Sequence, residues 1–178
     1  MRGGHVSKPI EDLVREAEGL VKKGVKEAML IAQELTYYGL DINKKRMLSD
    51  LLNRLADVKG LEWIRLHYAY PSKFPLEILD VMRERENICN YLDMPLQHAA
   101  NNMLKAMKRQ ITREEMEELT IAIREKVPGI CLRTTLIAGF PGETEEDVEE
   151  LKGFLQRQRF DRVGVSTYSH EEGTSAYD

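Results

Sequence analysis

The sequence predicts an α/β protein built on a parallel sheet, and three observations carry that prediction. Five apolar runs of strand length occur, over residues 25–32, 61–68, 88–94, 130–138 and 162–167. Helical patterns of apolar residues separate them, and the runs recur at intervals of roughly thirty residues, the length of a right-handed βαβ unit. Most of the runs stop at a polar segment bearing glycine or proline. In parallel sheets, open or closed into a barrel, the loops at the carboxyl ends of the strands line the ligand site, so the chemistry is expected there.

The elements follow in order. Ile10, Leu13, Val14, Ala17, Leu20 and Val21 fall on one helical face; Pro9 suits a first turn after Ser7, and Gly24 can close the end. The run 25–32 stops at Gln33-Glu34-Leu35-Thr36-Tyr37-Tyr38-Gly39. Leu48, Leu51, Leu52 and Leu55 mark the next helix, and 61–68 the next strand, ending in His67-Tyr68-Ala69-Tyr70-Pro71. A helix begins near Pro75. The run 88–94 leads into Pro95-Leu96-Gln97-His98, and Thr112 with Glu115 forms a capping box for a helix carrying Met116, Leu119 and Ile123. The run 130–138 ends at Gly139-Phe140-Pro141-Gly142-Glu143, after which Thr144 caps a helix with Val148, Leu151 and Leu155 on one face. The run 162–167 closes the series.

Composition narrows the function. With 178 residues, 42% of them hydrophobic, the chain holds enough for one core. Twenty-six basic against 30 acidic residues give a net charge of −4, which predicts no strong phosphate-binding field for the whole and no direct nucleic-acid partner. No apolar run reaches the length of a membrane span, so a soluble, cytoplasmic protein is expected. The two cysteines, Cys89 and Cys131, each sit inside an apolar run and read as small buried residues in a reducing compartment. Neither has a close cysteine neighbour, and no metal site is expected from this chain.

Four segments can carry chemistry. Gln33 and Glu34 would set an amide and a carboxylate before a ligand ammonium, or form a solvated loop. Arg133, inside a strand, needs an anion to offset its desolvation, which is either a ligand carboxylate or a neighbouring Asp or Glu. At Gly139 and Gly142 the backbone can approach a ligand closely, although a tight strand-to-helix turn explains the glycines equally well. His67 and His98 fall at strand ends, where a lone histidine is more often a hydrogen-bonded structural group. Tyr37, Tyr38, Tyr68 and Tyr70 are positioned to form an aromatic wall, and Met82, Met103, Met107 and Met116 read as core filling.

Taken in order, these segments resemble the radical S-adenosylmethionine (SAM) methylthiotransferases, most closely those acting on the twelfth protein of the small ribosomal subunit. The residues that carry the resemblance are Arg2-Gly3 with His5, Ser7, Lys8 and Pro9; residues 30–39; Arg65 to Pro71; Tyr91 to His98; and Leu132 to Thr144. The resemblance implies a partial (β/α)6 barrel that binds SAM across its strand ends, beside a four-iron four-sulfur cluster. Such a barrel generates a radical that abstracts hydrogen from an unactivated carbon, here the β carbon of an aspartate, which receives a methylthio group. By analogy Gln33 and Glu34 face the methionine ammonium, Arg133 its carboxylate and the backbone from Ile137 through Gly139 to Gly142 the adenine, with His67 and Gln97 nearby.

In that family a C-x-x-x-C-x-x-C triplet holds the cluster and lies just upstream of the Arg-Gly segment. The resemblance therefore implies a radical SAM core fragment over residues 1–178, lacking the first barrel strand, the cluster loop, the amino-terminal domain and the carboxyl-terminal substrate-binding domain. It also implies an open sheet edge at 25–32. Three alternatives stand beside this reading: a tRNA methylthiotransferase of the same family, a (β/α) barrel enzyme without iron, and a non-catalytic association fragment.

Overall fold

The computed structural model describes residues 4–170 and Glu172; the Arg2-Gly3 pair quoted above lies outside them. Helix α1 (Ile10–Lys22) leads into strand β1 (Glu27–Leu30). A 3-10 turn (Leu35–Tyr37) and helices α2 (Leu40–Asn43) and α3 (Leu48–Ala56) precede β2 (Trp63–Leu66). Helix α4 (Glu77–Glu84) precedes β3 (Ile88–Asp93), and α5 (Asn101–Ala106) and α6 (Arg113–Lys126) precede β4 (Cys131–Ala138). Helix α7 (Glu145–Gln158) joins β4 to β5 (Arg162–Thr167). The five strands lie in chain order and every pairing is parallel.

Alternation along the strands shows which face the helices cover. Ile64, Leu66, Leu92, Leu132, Thr134 and Leu136 are buried, whereas Arg65, Tyr91, Arg133, Thr135 and Ile137, one residue out of phase, are only half-buried. Parallel sheets with helices on both faces bury both sets. A sequential parallel sheet covered on one face is the wall of a (β/α) barrel, and its uncovered face is the barrel interior. Cys89 and Cys131 belong to that uncovered set and are half-buried, not enclosed in the core as expected. Burial still pushes both thiols up from their ordinary value.

The helix ends obey local chemistry. Thr112 and Glu115 form the expected capping box, and Thr144 forms a second one with Asp147. At the end of α1, Gly24 N–H donates to Val21 O at 2.8 Å and Val25 N–H to Leu20 O at 3.1 Å, a Schellman ending with Gly24 left-handed. Ser7 does not cap α1. Its amide donates to Asp41 Oδ2 at 2.7 Å and its hydroxyl accepts from Gly39 N–H at 3.0 Å, fastening the segment before α1 to the loop after β1. Tyr38 completes this clasp, its hydroxyl donating to Lys8 O at 2.7 Å. Gly39 has φ +91°, and a Cβ there would run into Met47, so both space and conformation require glycine.

Strand β1 forms one edge of the sheet and pairs only with β2 among the described residues. Met29, level with Arg65 on the uncovered face, is 58% exposed, and Ile31, just beyond the strand, 63%.

Three outcomes follow from this architecture. Thr144→Ala removes one capping oxygen and costs about 1 kcal/mol, read as a lower denaturation midpoint at unchanged slope. Met29→Lys reduces concentration-dependent light scattering of the isolated chain, because a charge on the edge opposes strand pairing. The hydrogen bonds from Ser7 hold the Asp41 carboxyl down to about 2. A depressed carboxyl stabilises the fold above its unfolded value, about 3.9, and that contribution disappears as pH falls through about 2. Ser7 amide exchange should therefore accelerate over that window in the native chain and lose the pH step in Asp41→Asn.

Candidate functional site

The carboxyl ends of β2 and β3 and the beginning of β4 converge on one side chain. Asp93, the last residue of β3, is buried: its side chain is 1% exposed and accepts from Arg133 Nη1 at 2.6 Å. Its other oxygen accepts a long bond from Tyr68 N–H at 3.4 Å and lies 3.7 Å from His67 Nδ1. Arg133 sits opposite Asp93 in register, so one pairing step brings the charges together. The carboxylate holds the Arg133 guanidinium above its ordinary value. Arg133 keeps 37% of its side chain exposed, so the part not bound to Asp93 faces the uncovered side of the sheet.

His67 packs its ring against Tyr91 at 5.5 Å, and its Nε2 is buried with no hydrogen-bond partner in the structure. A buried orphan nitrogen beside a charged pair marks a place where a ligand group completes the bonding. Below it on the same face, Glu27 accepts from Arg65 Nε at 2.6 Å and Arg65 lies over Tyr91 at 4.9 Å. The face thus alternates in sign from β1 to β4.

Backbone geometry marks the same strand ends. Tyr68, Gln97 and Gly139, after β2, β3 and β4, have φ of 60°, 73° and 77°. Two of the three are not glycine, and such left-handed residues are held only where their surroundings fix them, often at ligand sites. Gln97 is fixed by its backbone, which donates to Thr135 O at 3.0 Å and accepts from Ile137 N–H at 2.8 Å, extending the sheet beyond a break in β3.

The other candidates divide. Glu34 caps the 3-10 turn: one oxygen accepts from Thr36 N at 2.9 Å, Thr36 Oγ1 at 2.6 Å and Tyr70 N at 3.2 Å, stapling the first two strand-end loops together. Gln33 beside it is exposed. Near the end of β4 the Ile137 amide is taken by Gln97 O, and in the loop beyond it the Gly139 amide donates to Glu143 Oε2 at 2.6 Å. What the loop offers is space, since nothing lies within 4 Å of a Cβ built on Gly139, and Gly142 is left-handed at 85°. His98 is structural. It is fully buried, its Nδ1 accepts from Ala100 N–H at 2.9 Å, and its Nε2 therefore donates to Glu143 at 2.9 Å.

The aromatic wall does not form. Tyr38 is buried in the clasp, Tyr37 faces Arg46, Tyr70 lies under Arg109 at 4.4 Å, and Tyr68 is exposed. Each ring is claimed by a different neighbour because loops, unlike strands, impose no common side-chain direction. Sequence reasoning missed Asp93, although polar residues at every second position, Arg65 and His67, Tyr91 and Asp93, Arg133 and Thr135, carry the signal. Among the described residues no three His, Cys, Asp or Glu side chains gather to hold a metal ion.

Comparison with known proteins places this geometry. The Radical SAM superfamily matches over residues 1–155. A ribosomal protein uS12 methylthiotransferase, RimO, from Cytophaga hutchinsonii is 64% identical over 177 residues, and those from Flavobacterium johnsoniae and Bacteroides thetaiotaomicron are 58% and 56% identical. The matches cover 98–99% of this chain and 40% of each relative, so the chain spans about two fifths of their length. Among solved structures, the radical SAM methyltransferase TsrM of Kitasatospora setae, with cobalamin and a 4Fe-4S cluster bound, superposes with TM-score 0.69 at 22% identity. It covers 90% of this chain and 31% of that one. Coproporphyrinogen III oxidase, HemN, from Escherichia coli gives 0.66 at 20% identity, covering 94% and 39%. These two share the fold, a radical SAM barrel of which the five parallel strands form part. A profile match over most of the chain, on a barrel wall with its polar site at the strand ends, shows that this chain belongs to the radical SAM superfamily.

Proposed function

We propose that this chain is the SAM-binding core of a methylthiotransferase that adds a methylthio group to the β carbon of an aspartate in ribosomal protein uS12. The observation that supports it most strongly is the 64% identity to a RimO over 99% of the chain. It favours uS12 over tRNA as substrate.

The side chains on the uncovered face fit SAM. Arg133, anchored through one nitrogen to Asp93, presents the rest of its guanidinium to the methionine carboxylate, a charge-assisted pairing. His67 Nε2, buried and without a partner, lies within reach of a polar group of the ligand. By the family resemblance Gln33 and Glu34 would face the ammonium and Gln97 would line the floor between β3 and β4, while the open space at Gly139 would admit the adenine. SAM, when bound, supplies the one-electron chemistry that activates a C–H bond. The iron–sulfur cluster, by contrast, finds no ligand set among the described residues.

The decisive experiment incubates the protein spanning this segment with uS12, SAM and a reductant, and maps modification by mass spectrometry. A methylthio mass gain on an aspartate of uS12 supports the proposal, whereas a gain on tRNA alone overturns it.

Two further outcomes concern the isolated chain. Arg133→Ala weakens SAM binding in calorimetry by about 1.5–3 kcal/mol, the worth of a hydrogen bond to a charged group. Arg133→Gln, which leaves Asp93 without its cation, costs up to about 3–5 kcal/mol of stability, reduced by the exposure of the guanidinium. Pairing it with Asp93→Asn restores part of that loss in a double-mutant cycle.

A further inference from the structure

We propose that the strand-end rim above β1, β2 and β3 is a contact surface for single-stranded RNA. The chain carries a net charge of −4, yet the loops after these strands are basic. Lys44, Lys45 and Arg46 follow β1, Lys73 follows β2, and Lys105, Lys108 and Arg109 follow β3; the same segments, 33–47, 67–76 and 94–112, hold only two carboxylates. Both are turned to internal donors, Glu34 to Thr36 and Tyr70, and Asp41 to Ser7. None of the seven basic side chains takes part in an ion pair among the described residues.

The rim is continuous. Arg46 Nη1 donates to Lys73 O at 2.8 Å, joining the first loop to the second. Tyr70 joins the second to the third, stacked under Arg109 and accepting from Gln110 N–H at 3.2 Å. Each loop also holds one lysine in the left-handed region, Lys44 at φ 58°, Lys73 at 53° and Lys108 at 56°. Lysine is not a residue that favours that conformation, so three successive loops keep an exposed cation at a position better suited to glycine or asparagine. Carboxylates flank the path, Glu115 and Glu118 in the clefts beside Lys73 and Lys105, and Glu145, Glu146 and Asp147 in the first turn of α7.

Exposed rings decide the kind of polyanion. Tyr37 and Tyr68, 37% and 49% exposed, lie on the first two of these loops, Tyr37 against Arg46. Cations beside exposed aromatic faces hold single-stranded nucleic acid, pairing with phosphates and stacking bases, whereas an acidic polypeptide uses only the charges. The choice of RNA rests on the proposed substrate, a ribosomal protein; the charge and ring pattern stands without it.

The test is fluorescence anisotropy with the whole chain, no SAM, and a labelled mixed-sequence single-stranded RNA over a salt series. The expected result is binding at low salt that weakens steeply with salt. The triple variant Lys44→Glu, Lys73→Glu, Lys108→Glu should lose at least about tenfold in affinity, with a salt slope shallower by about 2. The double variant Lys45→Glu, Lys105→Glu, at ordinary backbone positions, should lose affinity in the same direction. Lys22→Glu with Lys23→Glu, at the opposite end of the strands, should bind as the native chain does. Equal affinity in native and triple variants, tighter binding of DNA of the same sequence, or tighter binding of polyglutamate overturns the proposal. Because SAM is left out, failure here does not bear on the methylthiotransferase reading.

Discussion

A carboxylate with almost no access to water, Asp93, is the constraint on which the site end of this sheet depends. Burying an ionised group is tolerated only when its charge and lone pairs are met, and β2 and β4 both contribute to meeting them. Arg133 crosses from the neighbouring strand, and Tyr68 supplies a backbone N–H only by taking a left-handed turn at the end of β2. The Arg133 ion pair and the Tyr68 N–H thus both meet one desolvated group. His67 is drawn to the same carboxylate through Nδ1, which leaves Nε2 as the unmatched atom of the network.

Around that centre the strand-end loops are tied in pairs. Glu34 joins the loops after β1 and β2, Tyr70 and Arg109 those after β2 and β3, and His98 with Glu143 those after β3 and β4. Each tie uses a polar side chain to satisfy loop backbone or another loop's side chain, because loops lack the ladder bonds of the sheet. The functional face is thus a bonded frame with a few unmatched groups, and those groups lie on the uncovered side where SAM is proposed to bind.

Charge is sorted by the same topology. The helix first turns collect carboxylates, as the helix dipole favours, and the internal ties consume those in the first loops. Lysines with no such use are left on the rim. A net charge summed over the sequence averages these regions and does not show the basic rim.

The sequence by itself determined the order of elements, since apolar period and caps act locally: 162–167 coincides with β5, and Thr112 and Thr144 cap as read. It over-extended β1 and β2 by two residues at each end, where the chain leaves the ladder, and it passed over α2 and α5, too short to show a helical period. It also placed the site at the strand ends and named Arg133 with its two possible partners. Only the tertiary structure identified Asp93 as the protein's own anion for Arg133, because that pairing depends on strand register, which brings residues forty positions apart side by side. The tertiary structure also settled the directions of the tyrosines, the half-exposure of the cysteines and the gathering of lysines from three loops. Each of these depends on which face of the sheet the helices cover and where separate loops meet, and neither is written in any local stretch of chain.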